Sequence, residues 1–182
     1  PIFGMTMMVF KGRTVLVADT NVEDFPSSER LVEISKSCVR VSKLFGFDPK
    51  VAFLSHSTFG KPISRNTKHV RDAIDLLKEE KVNFDFDGEM QPDVALNPIY
   101  QEVYPFSKIV GRANILIMPA LHSAAISTKL MKSFGGAKLI GPLLIGLDLP
   151  IEVAPLRSST SDILNLASIA AYSADVIDYK KN

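Results

Sequence analysis

A single cysteine, Cys38, is all the thiol that 182 residues contain, so neither a disulfide nor a multi-cysteine metal site can form within one chain. A reduced, cytoplasmic setting is the expectation that follows. An excess of one charge is also missing. The 21 Lys and Arg residues face 20 Asp and Glu, for a net charge of +1, and the basic residues are interspersed with acidic ones, so we expect no nucleic-acid partner. No apolar run approaches the ~20 residues of a membrane-spanning helix, and the start lacks the charged, apolar, small order of a signal peptide. A soluble protein without membrane association is expected. Glycine is scarce where a nucleotide site would need it: Gly60-Lys61 precedes Pro62, which excludes a Walker loop, and there is no dinucleotide fingerprint. Internal repeats and low-complexity segments are absent. The chain opens on Pro1 and runs at once into apolar sequence, Ile2 to Phe10, so we expect an excised piece of a longer polypeptide.

What is present is an ordinary globular composition, 46% hydrophobic and 23% charged, in a chain long enough for one compact domain with a sizeable core. Thr14 to Thr20 (TVLVADT) reads as a strand. Pro26 and Ser27-Ser28 then start a helix to about Phe45, whose apolar positions Leu31, Ile34, Cys38, Val41 and Leu44 recur at three- and four-residue steps. Val51 to Leu54 reads as a buried strand, and about Asn66 to Lys81 as an amphipathic helix. Phe84 to Met90 alternates as a short strand leading into a turn at Gly88, and a helix starts near Pro92. Asn114 to Met118 is a further strand and Ser123 to Phe134 a helix ended by Gly135-Gly136. Leu139 to Ile151, broken by Gly141-Pro142, Gly146 and Pro150, reads as bent strands or a hairpin. Ser158 to Asp162 caps a final helix, and Tyr179 to Asn182 reads as a solvated tail. Strands alternating with helices predict a three-layer α/β fold with a mainly parallel sheet.

The segment VAFLSHSTFG, Val51 to Gly60, is the first candidate site. It joins a buried strand to a loop of hydroxyls, an imidazole and a glycine, where α/β folds place ligand contacts. Ser55, Ser57, Thr58 and Gly60 offer hydroxyls and backbone N–H groups for phosphate oxygens, and Lys61 a compensating charge. The alternative is an ordinary strand-to-helix connection. In DGEMQPDVAL, the acids Asp87, Glu89 and Asp93 suggest a magnesium set, but their spacing does not establish convergence, and a polar turn before a helix is the expected reading, with no intrinsic metal.

Several blocks in one order, VADTNVEDFPSSERLVEI, FGFDPKVAFLSHSTFG, DGEMQPDVAL, GRANILIMPAL, GGAKLIGPLLIG and SDILNLASIAA, resemble the phosphate acetyltransferase family. They are most similar to the phosphotransacetylase-like C-terminal region of bacterial NADP-dependent malic enzymes. The resemblance spans nearly all of residues 1–182 and implies the phosphotransacetylase (isocitrate/isopropylmalate dehydrogenase-like) fold. It also implies a cleft for coenzyme A and acetyl phosphate, with an aspartate placed to deprotonate the thiol. Such a base is needed because a thiol of pKa about 8.5 is mostly protonated at neutral pH while its thiolate is the nucleophile. Asp162 occupies the position resembling that aspartate; the plain alternative is a helix-terminal acid held by backbone N–H groups and the macrodipole.

Active family members carry an adjacent serine and arginine shortly before that aspartate. Here the positions read Pro155 and Leu156, which cannot donate a hydrogen bond or carry positive charge. Arg157 follows, but as the next residue of a strand it would point to the opposite face. In PALHSAAI, Ala120 and Ala125 stand where amides or an acid are expected, and His122 can hydrogen-bond a phosphate or act as a plain loop residue. These departures argue against efficient acetyl transfer and leave room for binding, because a cleft can keep its shape and apolar contacts after losing transition-state stabilisation.

The resemblance therefore implies a regulatory domain that binds acetyl-coenzyme A or coenzyme A through Ser55, Ser57, Thr58, Gly60, Lys61, His122, Arg157 and Ser158, and that self-associates as a dimer or higher oligomer. NADP and a divalent metal would belong to an N-terminal malic-enzyme part of the same polypeptide, which oxidatively decarboxylates malate to pyruvate, and this piece alone would be inactive. The alternatives are an active phosphate acetyltransferase using Asp162 as base, and an assembly module in which Met5 to Phe10 and GPLLIG supply core or subunit contacts.

Overall fold

The computed structural model describes residues 2–179; the tail residues 180–182, read above as solvated, lie outside the described residues. Strands β1 (Phe3–Phe10) and β2 (Arg13–Ala18) form a hairpin that leads into helix α1 (Ser28–Leu44). Strand β3 (Lys50–Leu54), helix α2 (Lys68–Glu79), strand β4 (Asp85–Met90) and the short helix α3 (Pro92–Leu96) follow. The chain closes with β5 (Ile115–Ile117), α4 (Leu121–Phe134), β6 (Lys138–Ile145) and α5 (Thr160–Tyr179).

All six strands form one sheet in the order β4-β3-β5-β2-β1-β6. The pairs β4/β3, β3/β5 and β5/β2 are parallel, while β1 is antiparallel to both β2 and β6. Five strands therefore share a direction and β1 alone runs against them. Alternation along each central strand sorts the core into two layers. Leu16, Ala18, Val51, Phe53, Ile115 and Ile117 pack under α1, α2 and Leu166 of α5. Their neighbours Val17, Ala52, Leu54 and Leu116 pack with Ala95 of α3 and Ala124 of α4 on the other face. The three layers follow from a sheet buried on both sides.

Sequence patterning located these elements with two exceptions. Apolar Phe3 to Phe10 is a strand, with Phe3 and Met5 fully buried; its pattern hides because the first half is covered on both faces. Gly88 is a second correction: it lies inside β4, not at a turn. The parallel register pairs Phe53 with Gly88 but Leu54 with Met90, so Glu89 is an extra residue bulged out of the ladder. A Cβ on Gly88 would lie 2.7 Å from the Phe53 carbonyl oxygen, which reserves this position for glycine.

Candidate active-site cleft

The chain leaves β2 through Asp19, a buried carboxylate surrounded by backbone donors. Its Oδ1 accepts from the N–H groups of Gly4 (2.9 Å), Asn21 (2.8 Å) and Val22 (3.1 Å), and its Oδ2 from that of Glu23 (2.8 Å). These four bonds curl the loop back onto β1, and a Cβ on Gly4 would lie 2.6 Å from that of Asn21. The curl presents Thr20 and Asn21, and brings Thr20 Oγ1 to 2.9 Å from Thr6 Oγ1 on β1.

Across β1 the sheet is deformed by design. Met5 pairs with Leu143 but Met7 with Ile140, so Gly141 and Pro142 together oppose Thr6, as in a β-bulge. Proline, which lacks a ladder donor, is tolerated at such a point. Gly141 has φ +124°, and an added Cβ would lie 2.9 Å from the Met5 carbonyl oxygen. The punctuation read as a bend is thus a bulge inside β6.

The opposite wall is the start of α5. Ser159 and Asp162 satisfy each other as a capping pair. Asp162 Oδ2 accepts from Ser159 N–H (2.9 Å) and Oγ–H (2.8 Å), while Ser159 Oγ lies 3.2 Å from the Asp162 N–H it accepts. The Ser159 backbone N–H first, then its hydroxyl, hold the Asp162 carboxyl below the ordinary aspartate range, and Lys132 and Lys138 act in the same sense. Asp162 is therefore ionised at neutral pH, and Oδ1 makes no hydrogen bond among the described residues.

Before it, Ser158 donates from both N–H (2.9 Å) and Oγ (2.7 Å) to the Pro155 carbonyl oxygen. Residues 155–158 are thereby a turn and not a strand, which corrects the expectation for Arg157: strand alternation does not govern it, and Arg157 lines the cleft while Leu156 is fully exposed.

Between these walls and α4 lies a cleft of about 460 Å³, within the usual range of small-molecule sites. Arg157, Ser158 and Asp162 meet in it, joined by Thr6, Thr20, Asn21, Lys129, Lys132 and Asn165. The last six escaped sequence reasoning. Lys129 and Lys132 carried a usable signal, two cations three residues apart on a helix already recognised; Thr6 did not, because its strand was not read as one.

The other expected ligand residues, Ser55, Ser57, Thr58, Gly60, Lys61 and His122, are not part of this cleft. The SHSTFG loop does cradle an anion, but the anion is the protein's own Glu89, itself buried. Ser57 Oγ donates to Glu89 Oε1 at 2.8 Å, Gly60 N–H at 3.1 Å, and Arg71 Nη1 lies 3.4 Å away. Ser55 Oγ is 3.1 Å from Ser57 Oγ, and Thr58 Oγ1 accepts from Gln91 N–H at 3.2 Å. The Ser55 and Ser57 hydroxyls and the Gly60 N–H, expected to face a ligand, are thus committed inside the fold. Lys61 and His122 are exposed, His122 in the first turn of α4. The acids of DGEMQPDVAL diverge: Asp87 accepts from Gly88 N–H (2.9 Å) and Lys108 N–H (2.7 Å), away from the Glu89 network.

Comparison with known proteins identifies the family of the chain. The family described as Phosphate acetyl/butaryl transferase matches residues 2–171. The chain is 47% identical over 173 residues to the NADP-dependent malic enzyme of Rhizobium meliloti (strain 1021), covering 95% of this chain and 23% of that one. It is 33% identical over 172 residues to the phosphate acetyltransferase of Bacillus subtilis (strain 168), covering 94% and 53% of the two. A crystal structure of a phosphotransacetylase from Streptococcus pyogenes superposes with a TM-score of 0.89 at 32% identity, over 96% of this chain and 54% of that chain. The chain thus spans about a quarter of the malic enzymes it matches and about half of the phosphate acetyltransferases. It belongs to the phosphate acetyl/butaryl transferase family.

Proposed function

We propose that this member of the family is a regulatory and assembly domain of an NADP-dependent malic enzyme, and that it binds acetyl-coenzyme A or coenzyme A in the cleft between α4 and α5. The observation that carries the reading is the unequal survival of the cleft. Its volume, its cations and Asp162 are present, while Pro155 and the outward Leu156 supply neither hydrogen bond nor charge to an acyl oxygen. Binding needs complementarity to the ground state; catalysis needs donors aimed at charge that develops only in the transition state. The first requirement fits these residues and the second does not.

In the parent enzyme, malate would be oxidatively decarboxylated to pyruvate at NADP and divalent-metal sites outside this chain. Acetyl-coenzyme A would shift that activity by binding one conformation of the assembly more tightly than another. Self-association is supported by apolar side chains left exposed on α4 (Ile126, Leu130, Phe134) and α5 (Ile163, Leu164), since contiguous exposed apolar surface marks interaction sites. No helix among the described residues is long and apolar enough to cross a membrane.

Calorimetric titration with acetyl-coenzyme A, coenzyme A and acetyl phosphate tests the reading, with sedimentation velocity on the same samples. Saturable binding of the thioester without acetyl transfer is expected; absence of binding by folded protein would overturn it. A second reading, active phosphate acetyltransferase, is favoured by one feature: ionised Asp162 lines the same cleft as Arg157 and keeps Oδ1 free of hydrogen bonds among the described residues. Turnover of acetyl phosphate and coenzyme A to acetyl-coenzyme A and phosphate would establish it.

A further inference from the structure

A second concavity opens on another side of α4 and shares no lining residue with the cleft. It arises because the helical layer is thin there: α3 ends after five residues at Leu96, and α4 borders the gap only through Met131. The β1/β2 register sets Met8 opposite Val15 and Phe10 opposite Arg13, so alternation puts these four side chains on one face of the sheet. Met8 and Val15 pack there against the second core layer, and with Phe10 they stay only half-buried. Leu96 and Met131 border the resulting groove of about 340 Å³, at the small end of the range for small-molecule sites.

Charge in this groove is of one sign. Arg13 and Arg112 line it, and no acidic residue does. Arg112 Nε donates to the Leu96 carbonyl oxygen at 3.1 Å, and neither arginine makes a salt bridge among the described residues. Arg30 and Arg71, by contrast, meet Glu23 at 2.6 Å and Glu89 at 3.4 Å. Asn114 is already spent: its Oδ1 accepts from Lys50 N–H and its Nδ2 donates to the Asp48 carbonyl oxygen. The groove therefore offers guanidinium donors beside an apolar floor. Complementarity calls for one anionic head that accepts from such forks and a hydrocarbon body that covers the floor. The Met8 and Met131 thioethers adapt to a flexible chain.

We propose that this groove is a separate ligand site for a medium-chain carboxylate, with the head held by Arg13 and Arg112 and the tail on Met8, Phe10, Val15, Leu96 and Met131. The site is independent of the coenzyme role proposed for the cleft. Its rival occupant is a second copy of this chain docking through the exposed apolar face of α4. That face carries Ile126, Leu130 and Phe134 but no acid anywhere in LHSAAISTKLMKSF. It would fill the floor and leave both guanidinium groups unmatched, whereas a carboxylate with a hydrocarbon tail satisfies both halves of the groove.

The methionines supply the readout. Met8 and Met131 line the groove and no methionine lines the cleft, so NMR of isotope-labelled methionine methyl groups tells the two sites apart. Titration with octanoate should shift Met8 and Met131 saturably and leave Met5, Met7, Met90 and Met118 in place. 1-Octanol, which has the tail without the charge, should bind at least roughly tenfold more weakly, the scale of a charge-assisted contact in a partly exposed site. Arg13→Gln should lose roughly tenfold in octanoate affinity and leave that for 1-octanol unchanged. Arg13 is exposed and makes no salt bridge among the described residues, so its variant should melt with the parent chain. Arg112→Gln should act in the same direction, with the Leu96 contact also lost. Equal affinities for octanoate and 1-octanol, or an Arg13→Gln variant that binds octanoate as the parent does, would overturn the assignment. So would methyl shifts spread without saturation over all the methionines. Met8 and Met131 signals that follow protein concentration and ignore octanoate would assign the groove to a second copy and overturn it too.

Discussion

Asp19 offers a quantitative test of how the cleft is held, because its two oxygens do unequal work. Oδ1 accepts three backbone N–H groups and Oδ2 accepts one. Replacing Asp19 by Ala orphans all four donors. The Gly4 N–H is buried and cannot recruit water, so it carries the full penalty of about 1–3 kcal/mol; the three part-buried loop donors can be rehydrated and cost less each, for a total of roughly 4 kcal/mol. Asp19→Asn behaves differently. With its carbonyl oxygen in the Oδ1 position the amide keeps three bonds and sets an NH2 against the Glu23 N–H, a donor facing a donor, at a cost of roughly 2 kcal/mol. Urea denaturation followed by circular dichroism reads both. With m of about 2 kcal/mol per M, the midpoint should drop by roughly 2 M for Ala and 1 M for Asn, with m unchanged. Equal shifts for the two variants would mean that charge, and not the count of acceptor positions, is what the loop uses. A shift below about 0.5 M for Ala would refute the bonding scheme altogether.

Burial pushes the Glu152 carboxyl from 4.5 up to about 7, against a smaller opposing pull from the Leu144 N–H. The folded state therefore holds a proton that the unfolded chain gives up. The resulting stabilisation is fully present below about pH 4.5 and is lost as pH rises to 7. Melting temperatures measured across that window should fall, and Glu152→Gln should flatten the slope; an unchanged slope in the variant would count against burial as the cause. Gly141→Ala forces a Cβ to 2.9 Å from the Met5 carbonyl oxygen at φ +124°, and should cost roughly 1–3 kcal/mol in chemical denaturation while weakening ligand binding through the displaced cleft wall. The Cys38 thiol is fully buried and its ionisation is pushed up by desolvation, so a thiol reagent should label it only at the rate of global unfolding; rapid labelling of native protein would contradict the packing.

The core was legible because it obeys two periods. Leu31, Ile34 and Cys38 repeat at helical steps and are all buried in α1, and TVLVA and VAFL sit at the centre of a sheet covered on both faces, where continuous apolar runs are the rule. The punctuation of Ser27, Gly46 and Gly135 was equally readable: Ser27 Oγ accepts from Arg30 N–H at 3.2 Å at the start of α1. What local pattern does not encode is pairing. Phe3–Phe10 is a strand because β2 and β6 lie on either side of it, and the bulges at Glu89 and Gly141 exist only as mismatches with a partner strand. Gly88 and Gly141-Pro142 looked like breaks from within their own segments; seen from Phe53 and Met5 they are close approaches.

The same distinction decides which hydroxyls face a ligand. SHSTFG and SSTSD are alike as strings, each rich in side chains that bond phosphates or backbone. Their fates diverge because of a residue 32 positions away from Ser57: Glu89, turned inward by its bulge, takes the Ser57 hydroxyl and the Gly60 N–H. Among the described residues no distant acid hydrogen-bonds into the 155–162 segment. Ser158 and Ser159 bond locally, to Pro155 and Asp162, while Ser161 accepts only a long contact from Lys138, and the short local bonds shape a turn that leaves Arg157 and Asp162 lining the cleft. A loop whose polar groups are satisfied by a remote partner is architecture; one whose polar groups are satisfied by near neighbours is a rigid rim. It follows that exchanging the two loops' serines for alanine should have opposite signatures. Ser57→Ala should lower stability by about 1–3 kcal/mol, the cost of stranding part of a buried carboxylate, with ligand affinity retained. Ser159→Ala should cost about 1 kcal/mol as a lost cap and act mainly on affinity, by releasing Asp162 from the rim. If Ser57→Ala instead abolished coenzyme A binding at unchanged stability, the SHSTFG loop would be the ligand site after all, and the cleft between α4 and α5 would lose its claim.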